Sequence, residues 1–337
     1  MPLRARSRTA LTAIRPLLPG LLVVVLATLL AYALEGLAHV LTASTIAVAL
    51  GAVLRSTGHF RPSFSPATAF ASKKLLRIAV VLLGLQLPLA AIGDLGAGGI
   101  VLILGTVAIT FFGTQALGRA LGLPPARSLL VATGFSICGA SAIAAMRPAT
   151  DADDEDTSTA IALVTLCGTL AILVLPLLRT PLGLDVTQFG AWAGASVHDV
   201  GQAVATGDRV PGALATVVVV KLSRVLLLAP LVAAVALRRR RSVGQSGGTR
   251  PPVLPFFVAA FVVAVALRAT GIVPAGVLDA LSSVQGVLLV AALFALGTGI
   301  DVPRLLLTGR RSIALGLLSW VLVAGIALAG VKLLHVG

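Results

Sequence analysis

An all-α polytopic membrane protein is the fold class this sequence predicts, and three observations predict it. Of 337 residues, 58% are hydrophobic and 11% charged, whereas soluble globular chains carry about 25% charged residues. The mean hydropathy is +1.05. Apolar runs long enough to cross a bilayer recur along the whole chain between Gly, Pro and charge punctuation, and Lys and Arg gather between alternate runs.

Taken in order, the runs predict about 11 membrane segments, at 14–34, 40–54, 75–93, 98–117, 128–147, 157–178, 186–206, 211–237, 252–270, 281–300 and 312–335. The organisation expected is a basic cytoplasmic N-terminus at 1–13 and a single transmembrane domain at 14–337, with a basic cytoplasmic loop at 238–251. With the N-terminus inside, 20 of the Lys and Arg residues fall in inner loops, Arg127 and Arg179 among them, and 4 fall outside: Arg147, Arg209, Arg268 and Lys332. That asymmetry is what the positive-inside rule requires. The acidic run Asp151–Asp156 then lies outside, with a helix cap expected before Thr157. Arginines, an apolar run and Ala31-Tyr32-Ala33 resemble a cleavable signal peptide, but the run is long enough to stay as a helix. The location implied is the bacterial inner (plasma) membrane, multi-pass, with the lipid bilayer as partner and a homodimer left open.

Segments 128–147 and 186–206 are poor helices. The first carries Gly134 and Gly139 with Thr133, Ser136 and Ser141; the second carries Gly190, Gly194 and Gly201 with Ser196, His198, Asp199 and Gln202. Small-residue faces that let helices pack closely would explain the glycines alone. Backbone can break its helix at membrane depth only where protein or water satisfies the freed groups, and such breaks line ion and substrate sites. Two discontinuous helices near the midplane are therefore expected. A weak internal repeat, seen when Pro176 is aligned with Pro230, suggests duplicated halves, as transporters often have.

The next segment holds Lys221 and Arg224 at its centre, three residues apart and on one face. Each such charge costs about 2.5–3.5 kcal/mol at mid-membrane on insertion scales, so a counter-charge or an anionic cargo is implied. A guanidinium fork and an ammonium suit a small oxyanion. Expected substrate-binding residues are Lys221, Arg224, Ser136, Gly139, Ser141 and Ser196. Asp199, paired with Lys221, would couple or gate transport with His198, and Gln202 would orient them. A structural ion pair between Asp199 and the cations, with no cargo, is the competing reading. Gln86 is read as an interhelical hydrogen bond.

Other chemistries find little support. The net charge of +14 is spread between helices, with one short basic run at Arg238–Arg241 and no interleaved aromatics, which argues against nucleic acid. Cys138 and Cys167 lie in apolar runs without metal-ligand spacing. No catalytic residue, cofactor or metal is expected, and no enzyme.

The blocks GFSICGASAIAA (134–145), GASVHDVGQAVATG (194–207) and VVVVKLSRVLLLAP (217–230) resemble the YeiH-like family of proposed sulfate exporters, with RIAVVLLGLQLPL (77–89) and AALFALGTGIDV (291–302) in the flanking helices. The resemblance covers most of residues 72–302. It implies an inner-membrane protein with sulfate export proposed. It extends to the cation–proton antiporter and bile-acid symporter superfamily, where GLQL (84–87) is similar to a recurrent Gly-Leu-acidic-Leu helix and inverted repeats with two crossing discontinuous helices are expected. Gln86 stands here in place of the acidic residue. The resulting expectation is a secondary transporter of a small inorganic or organosulfur-derived oxyanion, with a coupled proton or sodium ion. A cation–proton antiporter-like carrier using Asp199 and a non-transporting membrane subunit are the alternatives.

Overall fold

The computed structural model describes residues 17–38, 41–86, 96–207, 209–243, 256–303, 306, 309–334 and 336. The basic N-terminus expected at 1–13, the end of the segment expected at 75–93 and most of the loop at 238–251 lie outside them. Among the described residues the regular structure is helical: α1 (Leu18–Ala38), α2 (Ala43–Ser56), α3 (Ser65–Phe70), α4 (Leu76–Gly84), α5 (Gly96–Ala120), α6 (Pro125–Ser136), α7 (Ala140–Met146), α8 (Asp154–Leu178), α9 (Val186–Ser196), α10 (Val200–Gly207), α11 (Leu214–Leu226), α12 (Leu228–Val243), α13 (Phe256–Ala269), α14 (Ala275–Gly297) and α15 (Arg310–Leu333). A π turn at Ala71–Leu75 joins α3 to α4. Six stretches, α1, α5, α8, the α11–α12 pair, α14 and α15, are long and apolar enough to cross a membrane by length and composition. Helix α12 runs on to Val243, so the first residues of the expected loop at 238–251 are helical.

Local chemistry sets the helix starts. Asp153 caps α8, its Oδ1 accepting the Asp156 N–H at 2.7 Å. Asp185 and Gln188 form a reciprocal capping box on α9. Thr42 caps α2 by accepting the Thr45 N–H.

The helices sort into two sets. Helices α1 to α4, α13 and α14 pack on one another, as do α5 to α11 and α15, with α12 bridging them. Gly51 and Gly297 let the backbones of α2 and α14 touch; a Cβ on either glycine would overlap the facing carbonyl.

The two poor helices turn back instead of crossing. A straight helix from Pro125 to Met146 would separate its ends by about 33 Å. Yet Arg127 Nε donates to Asp156 Oδ1 at 2.6 Å, and Arg147 pairs with Asp154, both in the first turn of α8. Gly134 lies against Ile143, whose Cδ1 would be 2.8 Å from an added Cβ. Thus α6 and α7 form a hairpin whose tip is Ile137-Cys138-Gly139, with Gly139 at φ +74°. The second hairpin, α9–α10, enters from the other end of α8. Gly212, just before α11, lies against Val186 at the start of α9, and Gly207 at the end of α10 lies against Leu214 and Val217. Helices α11 and α12 then run back toward the first hairpin's mouth, where Arg239 pairs with Asp151.

Two expectations are corrected by this geometry. Arg147 and the acidic run share a face with Arg127 and Arg239, and Arg179, beyond the C-terminal end of α8, lies on the opposite face. One arginine joins the basic face as another leaves it, so the 20:4 division of charge is unchanged.

Candidate functional site

The hairpin tips meet beside α11, which supplies Lys221 and Arg224, 1% and 0% exposed. A helix that stops inside protein leaves its last carbonyls without partners. Arg224 answers two such ends at once. Its Nη2 donates to Phe135 O at 2.7 Å and Ser136 O at 2.8 Å, and its Nε to Ser136 O at 3.1 Å. Its Nη1 donates to Ala195 O at 2.7 Å, Val197 O at 3.2 Å and Gly194 O at 3.3 Å. Lys221 Nζ donates to Val197 O at 2.7 Å and Ile137 O at 3.0 Å. Helix C-termini carry partial negative charge, so both ends attract the cations, whose hydrogen bonds tie the tips together.

Both cations were expected to face cargo and Asp199; the structure turns them to backbone carbonyls instead. The ion pairs of the described residues do not include Lys221 with Asp199. Asp199 stands at the start of α10, its Oδ1 accepting the Gly201 N–H at 2.8 Å. A Cβ on Gly139 would lie 3.5 Å from the Asp199 backbone, so the tips abut where one turns and the other carries its acid.

A cavity of about 530 Å³ reaches this point from the face opposite the basic one. Asp199 and Ser141 form its floor, with Gly201 beside them; Glu35, Gln86, Gln285 and Arg209 line its sides. Gln86 Nε2 donates to Gln285 Oε1 at 3.1 Å across α4 and α14, the interhelical bond expected of Gln86. Glu35 Oε1 accepts the Ala43 N–H at 2.9 Å.

The remaining expected site residues sit behind the floor. Ser136 Oγ donates to Thr133 O at 3.3 Å and Ser196 Oγ to Trp192 O at 2.5 Å, so each hydroxyl is spent on its own helix. His198 is fully buried, its ring centroid 4.2 Å from that of Phe135. Gln202 Nε2 bonds Thr45 Oγ1, Thr165 O and Thr169 Oγ1 at 3.1–3.3 Å. The structure therefore brings Ser141 and Asp199 to the cavity, and Gly139 to its underside. It keeps Lys221, Arg224, Ser136, Ser196 and His198 out of its lining. Sequence reasoning missed Glu35, Arg209 and Gln285; an acid ending α1 and an amide inside the apolar α14 were the signals. Cys138 and Cys167 are free and buried. Among the described residues no three His, Cys, Asp or Glu side chains converge as metal ligands.

Two hairpins entering a helical bundle from opposite ends, with tips joined by buried cations beside an open cavity, define a polytopic membrane protein with a re-entrant core. The profile of the family described as Conserved hypothetical protein 698 matches residues 17–316, and the chain belongs to that family. A UPF0324 membrane protein of Corynebacterium glutamicum is 42% identical over 95% of this chain and 93% of its own length. The UPF0324 inner membrane protein YeiH of Escherichia coli is 32% identical over 84% of each chain, which bears out the YeiH-like resemblance. The solved structure of the sodium proton antiporter MjNhaP1 from Methanocaldococcus jannaschii aligns over 89% of this chain at 13% identity with a TM-score of 0.32, a likeness too slight to carry an argument.

Proposed function

We propose that the protein is a secondary transporter that moves a small oxyanion, sulfate or an organosulfur-derived anion, across the bacterial inner membrane, with its basic face cytoplasmic. The observation that carries this reading is the cavity that descends from the less basic face to Ser141 and Asp199 at the crossed tips. Charge at the crossing supports an anion. The negative ends of α6 and α9 are offset by the positive ends of α7 and α10, which leaves Lys221 and Arg224 against Asp199 alone. The balance is one positive charge with Asp199 ionised, and two when a proton or cation neutralises it. Lys221 and Arg224 would thus act on cargo through the field they set, while Ser141, the start of α10 and the amides of Gln86 and Gln285 make contact. Asp199 would couple transport, Gln202 would position it, and alternating access would come from one helix set rocking against the other.

The experiment is flux in proteoliposomes of labelled sulfate, sulfite, thiosulfate and sodium, with Ser141→Ala and Asp199→Asn compared with the intact protein. Oxyanion flux that Ser141→Ala reduces supports the reading. A second reading, a cation–proton carrier using Asp199, is favoured by Asp199 and Glu35 lining the cavity while the buried cations do not. Sodium flux without any oxyanion flux, abolished in Asp199→Asn, would establish it in place of the first.

A further inference from the structure

On the basic face, where the two helix sets meet, a cleft of about 320 Å³ opens between α4 and the end of α7. Its lining changes character with depth. Lys73, Arg77 and Arg147 stand at the rim, and Leu76, Val80, Ala144, Phe257 and Leu296 form the apolar part. Residues 73, 76, 77 and 80 recur at helical spacing, so one face carries cations at its outer end and Val80 about 10 Å deeper. On the opposite wall Arg147 follows the last turn of α7, with Ala144 one turn further in. The Arg77 guanidinium lies over the Phe257 ring, 5.5 Å from its centroid, a stacking that leaves an N–H edge for an oxyanion. The ion pairs of the described residues include neither Lys73 nor Arg77, and Arg147 pairs with Asp154. No acidic side chain among the described residues lines the cleft. The larger cavity beside it, about 460 Å³, shares Lys73 and Arg147 but adds Asp154, Glu155 and Asp301. The smaller cleft differs in setting unpaired cations over an apolar slot.

We propose that this cleft binds an anionic phospholipid from the leaflet at the basic face. Its phosphate sits against Lys73 and Arg77, and one acyl chain enters between Leu76, Val80, Ala144 and Phe257. Basic pockets between membrane helices hold anionic headgroups by this chemistry. The volume is at the lower end for small-molecule sites, enough for a headgroup and the first part of one chain. The rest of the lipid lies along Ile78 and Phe256, the neighbours of Arg77 and Phe257, which are 49% and 89% exposed. A soluble oxyanion would use the cations alone. The apolar wall and these exposed apolar neighbours favour an occupant with a hydrocarbon chain. The walls belong to different helix sets: Lys73, Arg77 and Phe257 to one, Ala144 and Arg147 to the other. The lipid therefore bridges the two sets at the basic face, whatever cargo the protein moves.

The test is thermal unfolding of the full-length detergent-purified protein with phosphatidylglycerol, phosphatidylcholine or inorganic phosphate added. Phosphatidylglycerol should raise the midpoint saturably above phosphatidylcholine, as any ligand of the folded state does. Lys73→Ala and Arg77→Ala, both at exposed positions, should each weaken its apparent affinity roughly fivefold, the equivalent of about 1 kcal/mol per basic residue at a lipid surface. Ala144→Leu fills the slot without changing charge and should weaken it too; if that variant does not fold, the two exposed positions carry the test. Arg310→Ala, an exposed cation of the same face but outside the cleft, should leave the shift intact. Equal shifts with the two lipids, or a phosphatidylglycerol shift that ignores Lys73→Ala and Arg77→Ala or falls as far in Arg310→Ala, would mean diffuse attraction and overturn the proposal. An equal shift from inorganic phosphate alone would assign the cleft to a soluble anion and overturn it as well.

Discussion

The two hairpins share a backbone plan and differ in what they bring to the crossing. The first turns at a glycine with positive φ and adds one hydroxyl, Ser141, to the cavity. The second leaves α9 through Val197 in extended conformation, at φ −71° and ψ 145°, and delivers Asp199 and Gln202. Their mouths differ in the opposite sense. Ion pairs from Arg127 and Arg147 fasten the first to α8, whereas a capping box within α9 orders the second. The lesson is that two hairpins of like plan divide duties: the first is braced at its mouth by ion pairs, and the second brings the acid that lines the cavity.

The contrast can be broken most decisively by side-specific labelling. Single cysteines at 127 and 147, in a background lacking Cys138 and Cys167, should react with an impermeant maleimide from the same side, and a cysteine at 209 from the other. Opposite labelling of 127 and 147 would mean that the first hairpin crosses, and the comparison would dissolve. Next in size is Arg224→Ala. Its removal strips partners from carbonyls on both tips at once, and loss of one member of a buried charged network costs about 3–5 kcal/mol. Thermal unfolding should show it as the most destabilising single change at the crossing, exceeding Lys221→Ala; a midpoint near that of the intact protein would refute the capping role. Gly139→Ala tests the turn of the first tip. A side chain at φ +74° carries strain of about 1–3 kcal/mol, whereas Val197→Ala at the second tip meets no such barrier. The smallest effect is Gln285→Leu, which removes one amide–amide bond worth about 0.5–1.5 kcal/mol and should alter oxyanion flux more than stability.

The helices were legible because apolar length and punctuation survive any tertiary context. So were the breaks in them, from glycine and serine where leucine would serve a lipid-facing helix. Their reversal was not, for a physical reason. A hairpin of 22 residues is as long as a crossing, and exchanging Arg147 for Arg179 between faces leaves the charge balance as it was. The burial of Lys221 and Arg224 could be read from their place in an apolar run. Their partners could not, since a carbonyl at a helix end leaves no mark on residue type. Asp199 was legible as an isolated acid among small residues. Gln285 and Glu35 became visible as cavity groups only once α14 and α1 had been placed beside the tips.

Because a single guanidinium grips carbonyls of both α6 and α9, neither hairpin is free to swing without its twin. Any displacement large enough to move Asp199 must carry the pair as one rigid insert. The slippage would then fall on the seam against α2, where the bond between Gln202 and Thr45 is a neutral link that a small shift can part and remake.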